Sequence, residues 1–269
     1  MTEHELPLKA AERHRLRRDS FDRVAALYDR SRPRYPEELF DDLLRLAGLR
    51  PGDRVLEIGP GTGQATLPMA RRGLEVLALE RSPNMARVCR RNLRGFPGVK
   101  VRTTAFEDWP LDEAAFDLVI AASAFHWLSP RTAFRACARA LKPAGGIALA
   151  WNFRTTPDDD FHRDLQQVYA RVGMKPWIAR DPEQRIAKQR RAIENSGAFG
   201  PVRVRRHPWI GEYDANRYIG LLRTMSDHAI RPPDVRRRLW RGIRRVFARH
   251  GGSMTRHHVA GLLFARRRR

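Results

Sequence analysis

Two cysteines in 269 residues leave little scope for disulfide or thiolate–metal chemistry. Cys89 and Cys137 fall in separate expected helices with no metal-ligand spacing, so both read as buried free thiols and no metal site is expected. Lysine is also scarce. Only Lys9, Lys100, Lys142, Lys175 and Lys188 contribute to the 52 basic residues, so arginine carries the formal charge of +22. No apolar run approaches the ~20 residues that a membrane-spanning helix needs. Residues 1–20 are charged and lack a signal peptide's apolar core, which makes the cytoplasm the expected compartment.

What is present is a globular composition, 42% apolar, on a chain long enough for one sizeable α/β domain or such a domain with an inserted cap. A basic excess of this size raises nucleic acid or an acidic partner. Arginine dominance alongside abundant alanine, glycine and proline is also what a GC-rich coding sequence produces, and a solvated surface of that origin is the first reading. The excess concentrates at Arg236, Arg237, Arg238, Arg241, Arg244, Arg245 and Arg249 in one expected helix, and in the tail 266–269.

Along the chain, 20–30 and 36–48 read as helices, with Ser20 as the N-cap of the first. From Arg54 onward apolar strands alternate with helices. Strands are expected at 54–58, 76–80, 99–103, 116–121, 146–151, 202–207 (extending toward Ile210) and 257–265. Helices are expected at 63–72, 83–93, 131–141, 214–228 and 234–250, with Ser82-Pro83 as N-cap and first helical residue of the second. Pro143 and Gly145-Gly146 mark a turn into the fifth strand. This alternation predicts an α/β fold, a seven-stranded, mostly parallel sheet with helices on both faces. The polar, helical stretch 157–197 breaks the alternation and is expected to form a cap over the sheet's carboxyl edge. The expected organisation is therefore N-terminal helices over 1–53, a sheet domain from 54–156 and 198–269, and the cap at 157–197.

The first strand ends in Gly59, Gly61 and Gly63, alternate glycines where backbone must approach a ligand closely. Glu80 ends the second strand, where an open α/β sheet places a carboxylate for a ribose diol. The spacing G-x-G-x-G differs from the dinucleotide fingerprint, and Glu57 just before the loop would repel a pyrophosphate. An acid there suits a ligand bearing an amine or sulfonium, or else serves a capping or salt-bridging role.

In these segments the chain resembles the class I S-adenosylmethionine-dependent methyltransferases, in the small-molecule subgroup that includes trans-aconitate and quinone-biosynthesis enzymes. The resemblance rests on VLEIGPGTGQAT at 55–66, Glu80, AFEDWP at 105–110, FDLVIAASAFHWLSP at 116–130, ALKPAGGIALAWN at 140–152 and FDRVAALYDRSRPRYP at 21–36. It implies a Rossmann-like fold with S-adenosyl-L-methionine as cofactor. Position by position it implies Glu57, Gly59, Gly61 and Gly63 around the methionine part, and Glu80 with Arg81 at the ribose. Phe106 and Glu107 would border the adenine, Ala121, Ala122 and Ser123 would close the pocket, and Tyr28, Arg32 and Tyr35 would lie over the cofactor. One position departs from the pattern. Ala105 stands where many relatives carry aspartate, which leaves Glu107, Asp108 or stacking alone to hold the adenine.

His126, just past the fourth strand, is the candidate general base, an imidazole having an ordinary pKa near 6.5, or else a wall of the pocket. Trp127, Trp151 and His228 are candidate acceptor contacts; the tryptophans could equally be core, and a helix-terminal histidine often serves the helix dipole. The expected activity is methyl transfer to a small organic molecule at oxygen, a hydroxyl or a carboxylate, as in secondary metabolism. The alternatives are methylation of RNA or DNA, and a non-catalytic binding module. Against the first, Ala122-Ser-Ala-Phe-His126 lacks the Asn/Asp-Pro-Pro-Tyr/Phe signature of base amino-methyltransferases. Against the second, the glycine loop and Glu80 are intact.

Overall fold

The structure is a computed structural model and describes Glu12, residues 21–175 and residues 181–268. Ser20, Arg269 and residues 176–180 of the expected cap lie outside the described residues. The strands are β1 (Arg54–Ile58), β2 (Glu75–Glu80), β3 (Val99–Thr103), β4 (Phe116–Ala122), β5 (Leu141–Arg154), β6 (Arg203–Asp214) and β7 (Ser253–Arg266). They form one sheet in the order β3-β2-β1-β4-β5-β7-β6. The pairs β1–β2, β1–β4, β2–β3 and β4–β5 are parallel, with Val55 of β1 opposite Val76 and Leu118. β7 runs the other way beside β5. Arg267 N–H donates to Gly145 C=O (2.9 Å) while Thr155 N–H donates to His257 C=O (3.2 Å), so the start of one strand meets the end of the other. The expected seven-stranded, mostly parallel sheet is what forms. Its order reverses between β1 and β4, and such a switch point opens a crevice at the carboxyl ends of the strands.

The chain folds into two compact units. One, the sheet unit, comprises Pro33–Phe153, Asp181–Trp209 and Val259–Arg269; the other, the helical unit, comprises Met1–Arg32, Arg154–Arg180 and Ile210–His258. In the sheet unit the two-residue period of β1 splits its apolar side chains between two cores. Leu56 and Ile58 join Val119, Ile147 and Leu149 under α5 (Pro130–Ala140), which adds Phe134 and Cys137. Val55 joins Val76, Leu118 and Leu262 under α2 (Glu37–Ala47), which adds Leu39, Phe40 and Leu43, and α3 (Thr66–Arg71), which adds Met69. Both faces are covered, as a parallel sheet requires. The helical unit contains α1 (Ala25–Ser31), α6 (Asp160–Arg171), α8 (Ala215–Arg223), α9 (Ser226–Ala229) and α10 (Pro233–Arg249). Its core is Phe161, Leu165, Leu221, Leu222, Leu239, Ile243 and Phe247.

These boundaries differ from the expected ones in three ways. The stretch 157–197 is divided: α6 belongs to the helical unit, whereas α7 (Pro182–Glu194) belongs to the sheet unit. The reason is that Ile186 and Ile193, two turns apart on one helix face, bury in the core around Phe153 and Leu263. The N-terminal helices also separate, because α2 buries its apolar stripe in the sheet unit. Residues 210–258, expected within the sheet domain, join α6 in the helical unit. One local expectation is modified too. β5 starts at Leu141 and passes through Pro143–Gly146 as a bulge, Leu141 facing Phe116 and Gly146 facing Leu118. Gly146 is required there, since a Cβ would sit 2.5 Å from the Phe264 ring.

Candidate active site

β1 delivers Glu57 and the glycine loop to the switch point. The chain leaves the strand at Gly59 in the left-handed region (φ 66°), which glycine tolerates best. A Cβ at Gly59 would stand 2.6 Å from that of Ala124, at the end of the neighbouring β4, so no side chain fits. Gly61 and Gly63 also have positive φ, 62° and 97°, and Leu67 N–H closes back on Gly63 C=O at the start of α3. The loop is thus a backbone cradle ending in a helix N-terminus.

Two carboxylates meet this cradle. Glu80, at the end of β2 and nearly buried, accepts the Gly61 N–H at Oε2 (2.9 Å) and the Ser82 N–H at Oε1 (2.8 Å). Ser82 in turn caps α4 (Pro83–Asn92) by accepting the Met85 N–H (3.1 Å), as its position before Pro83 predicts. Glu57 is fully buried and neither of its oxygens has a hydrogen-bond partner. Burial pushes its pKa up to about 7, the nearby Thr66 hydroxyl opposes that, and the Glu80 charge reinforces it. An orphaned buried carboxyl is costly unless a ligand supplies the missing donor or charge.

The other strand ends complete the rim. At the end of β4, Ser123 is a non-glycine residue at positive φ (58°), held by its N–H to Ala150 C=O (2.8 Å) and by a hydrogen bond between its hydroxyl and that of Tyr35 (2.8 Å). Strain of this kind persists only where surroundings enforce it. After β3 a single turn, Phe106–Asp108, buries Phe106 and leaves Glu107 and Asp108 exposed; Ala122 is half-buried and Arg81 exposed. Beyond Ser123, a turn at Phe125–Trp127 carries His126, exposed, with its ring 4.8 Å from that of Trp127. The structure therefore brings together Tyr35, Glu57, the three glycines, Glu80, Ala122 and Ser123 at one edge of the sheet unit.

The remaining candidates belong to the sheet unit's core or to the helical unit. Trp151 is buried in the core beside Phe153, the rings stacked at 6.3 Å, so core packing is its principal role. Tyr28 and Arg32 belong to the helical unit. There Arg32 donates from Nε to the Thr224 hydroxyl and from Nη2 to the Thr224 carbonyl, both at 2.9 Å, with its guanidinium 4.9 Å from the Tyr28 ring centre. His228 is buried in the same unit rather than placed at a solvated helix end. It shares hydrogen bonds with the Tyr169 hydroxyl (2.8 Å) and Asp227 (2.9 Å) and stacks on Trp240. No cluster that could hold a metal occurs among the described residues, and Cys89 and Cys137 are buried free thiols. A buried polar cluster unforeseen from the sequence lies close to Tyr169, the partner of His228: Arg154, Tyr213, Tyr218, Arg256 and His258. Its one sequence signal is the alternation Met254, Arg256, His258, which a strand beginning at 253 turns inward.

Residues 56–149 match the family described as "Methyltransferase domain". The chain is 32% identical over 233 residues to an uncharacterized methyltransferase of Mycobacterium tuberculosis, covering 86% of each. It is 33% identical over 143 residues to a demethylmenaquinone methyltransferase of Clavibacter sepedonicus, covering 51% of this chain and 58% of that one. In fold it is similar to a putative type II methyltransferase from Anaeromyxobacter dehalogenans, with a TM-score of 0.62, 22% identity and coverage of 87% and 97%. The chain belongs to the class I methyltransferases, enzymes that use S-adenosylmethionine as methyl donor.

Proposed function

We propose that the chain transfers a methyl group from S-adenosylmethionine to a small organic acceptor, at oxygen. The observation that carries the cofactor placement is the pair of carboxylates around the glycine cradle. Glu80, pinned by two backbone N–H groups, accepts the ribose hydroxyls, and the orphaned Glu57 faces the cationic methionine end. Gly59, where a Cβ would clash, and Gly61 and Gly63, whose positive φ favours glycine, leave bare backbone to meet that end. Phe106 and Glu107 border the adenine, Arg81 flanks the ribose, and Ala122, Ser123 and Tyr35 close the rim. The similarity to a demethylmenaquinone methyltransferase favours a small acceptor.

The cofactor supplies an electrophilic methyl group on a sulfonium. Transfer is an in-line displacement, so alignment contributes much of the rate, roughly 7–11 kcal/mol where geometry is optimal. Ser123, locked through Tyr35, fixes the backbone beside the reacting centre. His126 takes the proton of a hydroxyl acceptor; a carboxylate acceptor needs no base. Incubation with S-adenosylmethionine and a panel of hydroxyl- and carboxyl-bearing small molecules should yield S-adenosylhomocysteine in step with one acceptor. Methylation of RNA with no turnover on any small acceptor would overturn the reading.

A further inference from the structure

The helical unit buries an arginine whose N–H donors are not all used among the described residues. Arg256, on β7, is only 5% exposed. Its Nη2 donates to the Tyr218 hydroxyl (3.1 Å), while Nε and Nη1 are buried with no hydrogen-bond partner. Its guanidinium lies 4.8 Å from the Tyr218 ring centre and 5.7 Å from that of Tyr213. Arg154, also buried, is near enough that burial first, and then the Arg256 charge, push its pKa well down. The neighbouring carboxylate, Asp227, opposes that shift and also bonds His228. Cation–π contacts compensate only part of the cost of burying a guanidinium.

Around these arginines stand phenols and neutral imidazole. The Tyr213 hydroxyl meets His258 Nε2 at 3.4 Å, and burial with the two arginine charges holds His258 at a pKa of about 3, uncharged near neutrality. A guanidinium with unused N–H donors, flanked by hydroxyls and aromatic faces, is the donor set that recognises an oxyanion on a compact organic molecule. We propose that Arg256, with Arg154 beside it, binds the acidic group, carboxylate or phosphate, of a small organic anion. The anion site itself rests on the buried donors.

Isothermal titration of the full chain, with and without S-adenosylhomocysteine, tests this with benzoate, inorganic phosphate and neutral methyl benzoate as probes. Benzoate or phosphate should bind and methyl benzoate should not, the better anion identifying the acidic group. Arg256→Gln should weaken that anion by about tenfold or more and leave S-adenosylhomocysteine affinity unchanged. Tyr218→Phe, which removes one hydroxyl and retains the ring, should weaken the anion to a smaller extent and carries the test should Arg256→Gln fail to fold. Absence of anion binding by the unmodified chain, or anion affinity unchanged in both variants, would overturn the proposal. Anion binding at Arg256 without any S-adenosylhomocysteine binding would instead sink the methyltransferase reading and leave the anion site standing.

Discussion

Glu57 is the residue whose chemistry is most at odds with its surroundings in the ligand-free protein. A carboxyl with an ordinary pKa of 4.5 in the unfolded chain and about 7 in the fold keeps its proton longer when folded. Its stability contribution is therefore full below pH 4.5 and is lost as pH rises through 7, a loss on the order of 3 kcal/mol. Glu57→Gln should raise the melting temperature of the cofactor-free protein at pH 8 and leave it nearly unchanged at pH 4. The same substitution should weaken S-adenosylhomocysteine. In the unmodified protein at pH 6, a cationic ligand group beside Glu57 should expel its proton, read by titration in buffers of different ionisation enthalpy; Glu57→Gln should abolish that release. Gly59 makes the complementary steric prediction. Gly59→Ala should cost on the order of 2 kcal/mol of stability through its positive φ and the Ala124 clash. Adding Ala124→Gly should restore part of that loss by removing the clash and not the strain.

At the scale of elements, β1, β3 and β4 and the cap at Ser82 were legible because their signals are local: short apolar runs, glycine exits and a Ser-Pro helix start. β7 was legible only in its second half. The stretch 257–265 reads as a strand on its apolar run Val259–Ala265, but 253–256, with Arg256 at an inward position, looks like loop until tertiary partners are known. That is why the arginine–tyrosine cluster escaped notice and the glycine cradle did not. The same contrast governs α7, whose two inward isoleucines are too sparse a stripe to reveal which core they join. His258 provides a test in this strand. Its pKa falls from 6.5 to about 3 on burial, so its contribution to stability is full above 6.5 and is lost as pH falls toward 3. His258→Gln should blunt the acid destabilisation seen by thermal melting between those values. In β5, Gly146→Ala should lower the melting temperature sharply, because the added Cβ meets the Phe264 ring of β7.

For the whole molecule, a charge of +22 carried by arginine, with seven arginines on α10, gives a strongly basic surface. Some of it is internally paired, as in Arg238–Asp234 (3.1 Å) and Arg249–Asp164 (2.7 Å). No helix among the described residues is long and apolar enough to cross a membrane. Binding of polyanions such as heparin should therefore fall steeply with salt and should not compete with S-adenosylhomocysteine. The central claim concerns the sheet unit: one edge, built from the glycine cradle and two carboxylates, holds the methyl donor. Isothermal titration of S-adenosylhomocysteine into the unmodified chain and Glu80→Ala tests it most directly. The account predicts micromolar binding, weakened about a hundredfold or more in the variant through loss of charge-assisted ribose contacts. No binding by the unmodified chain, or equal binding by Glu80→Ala, would contradict it.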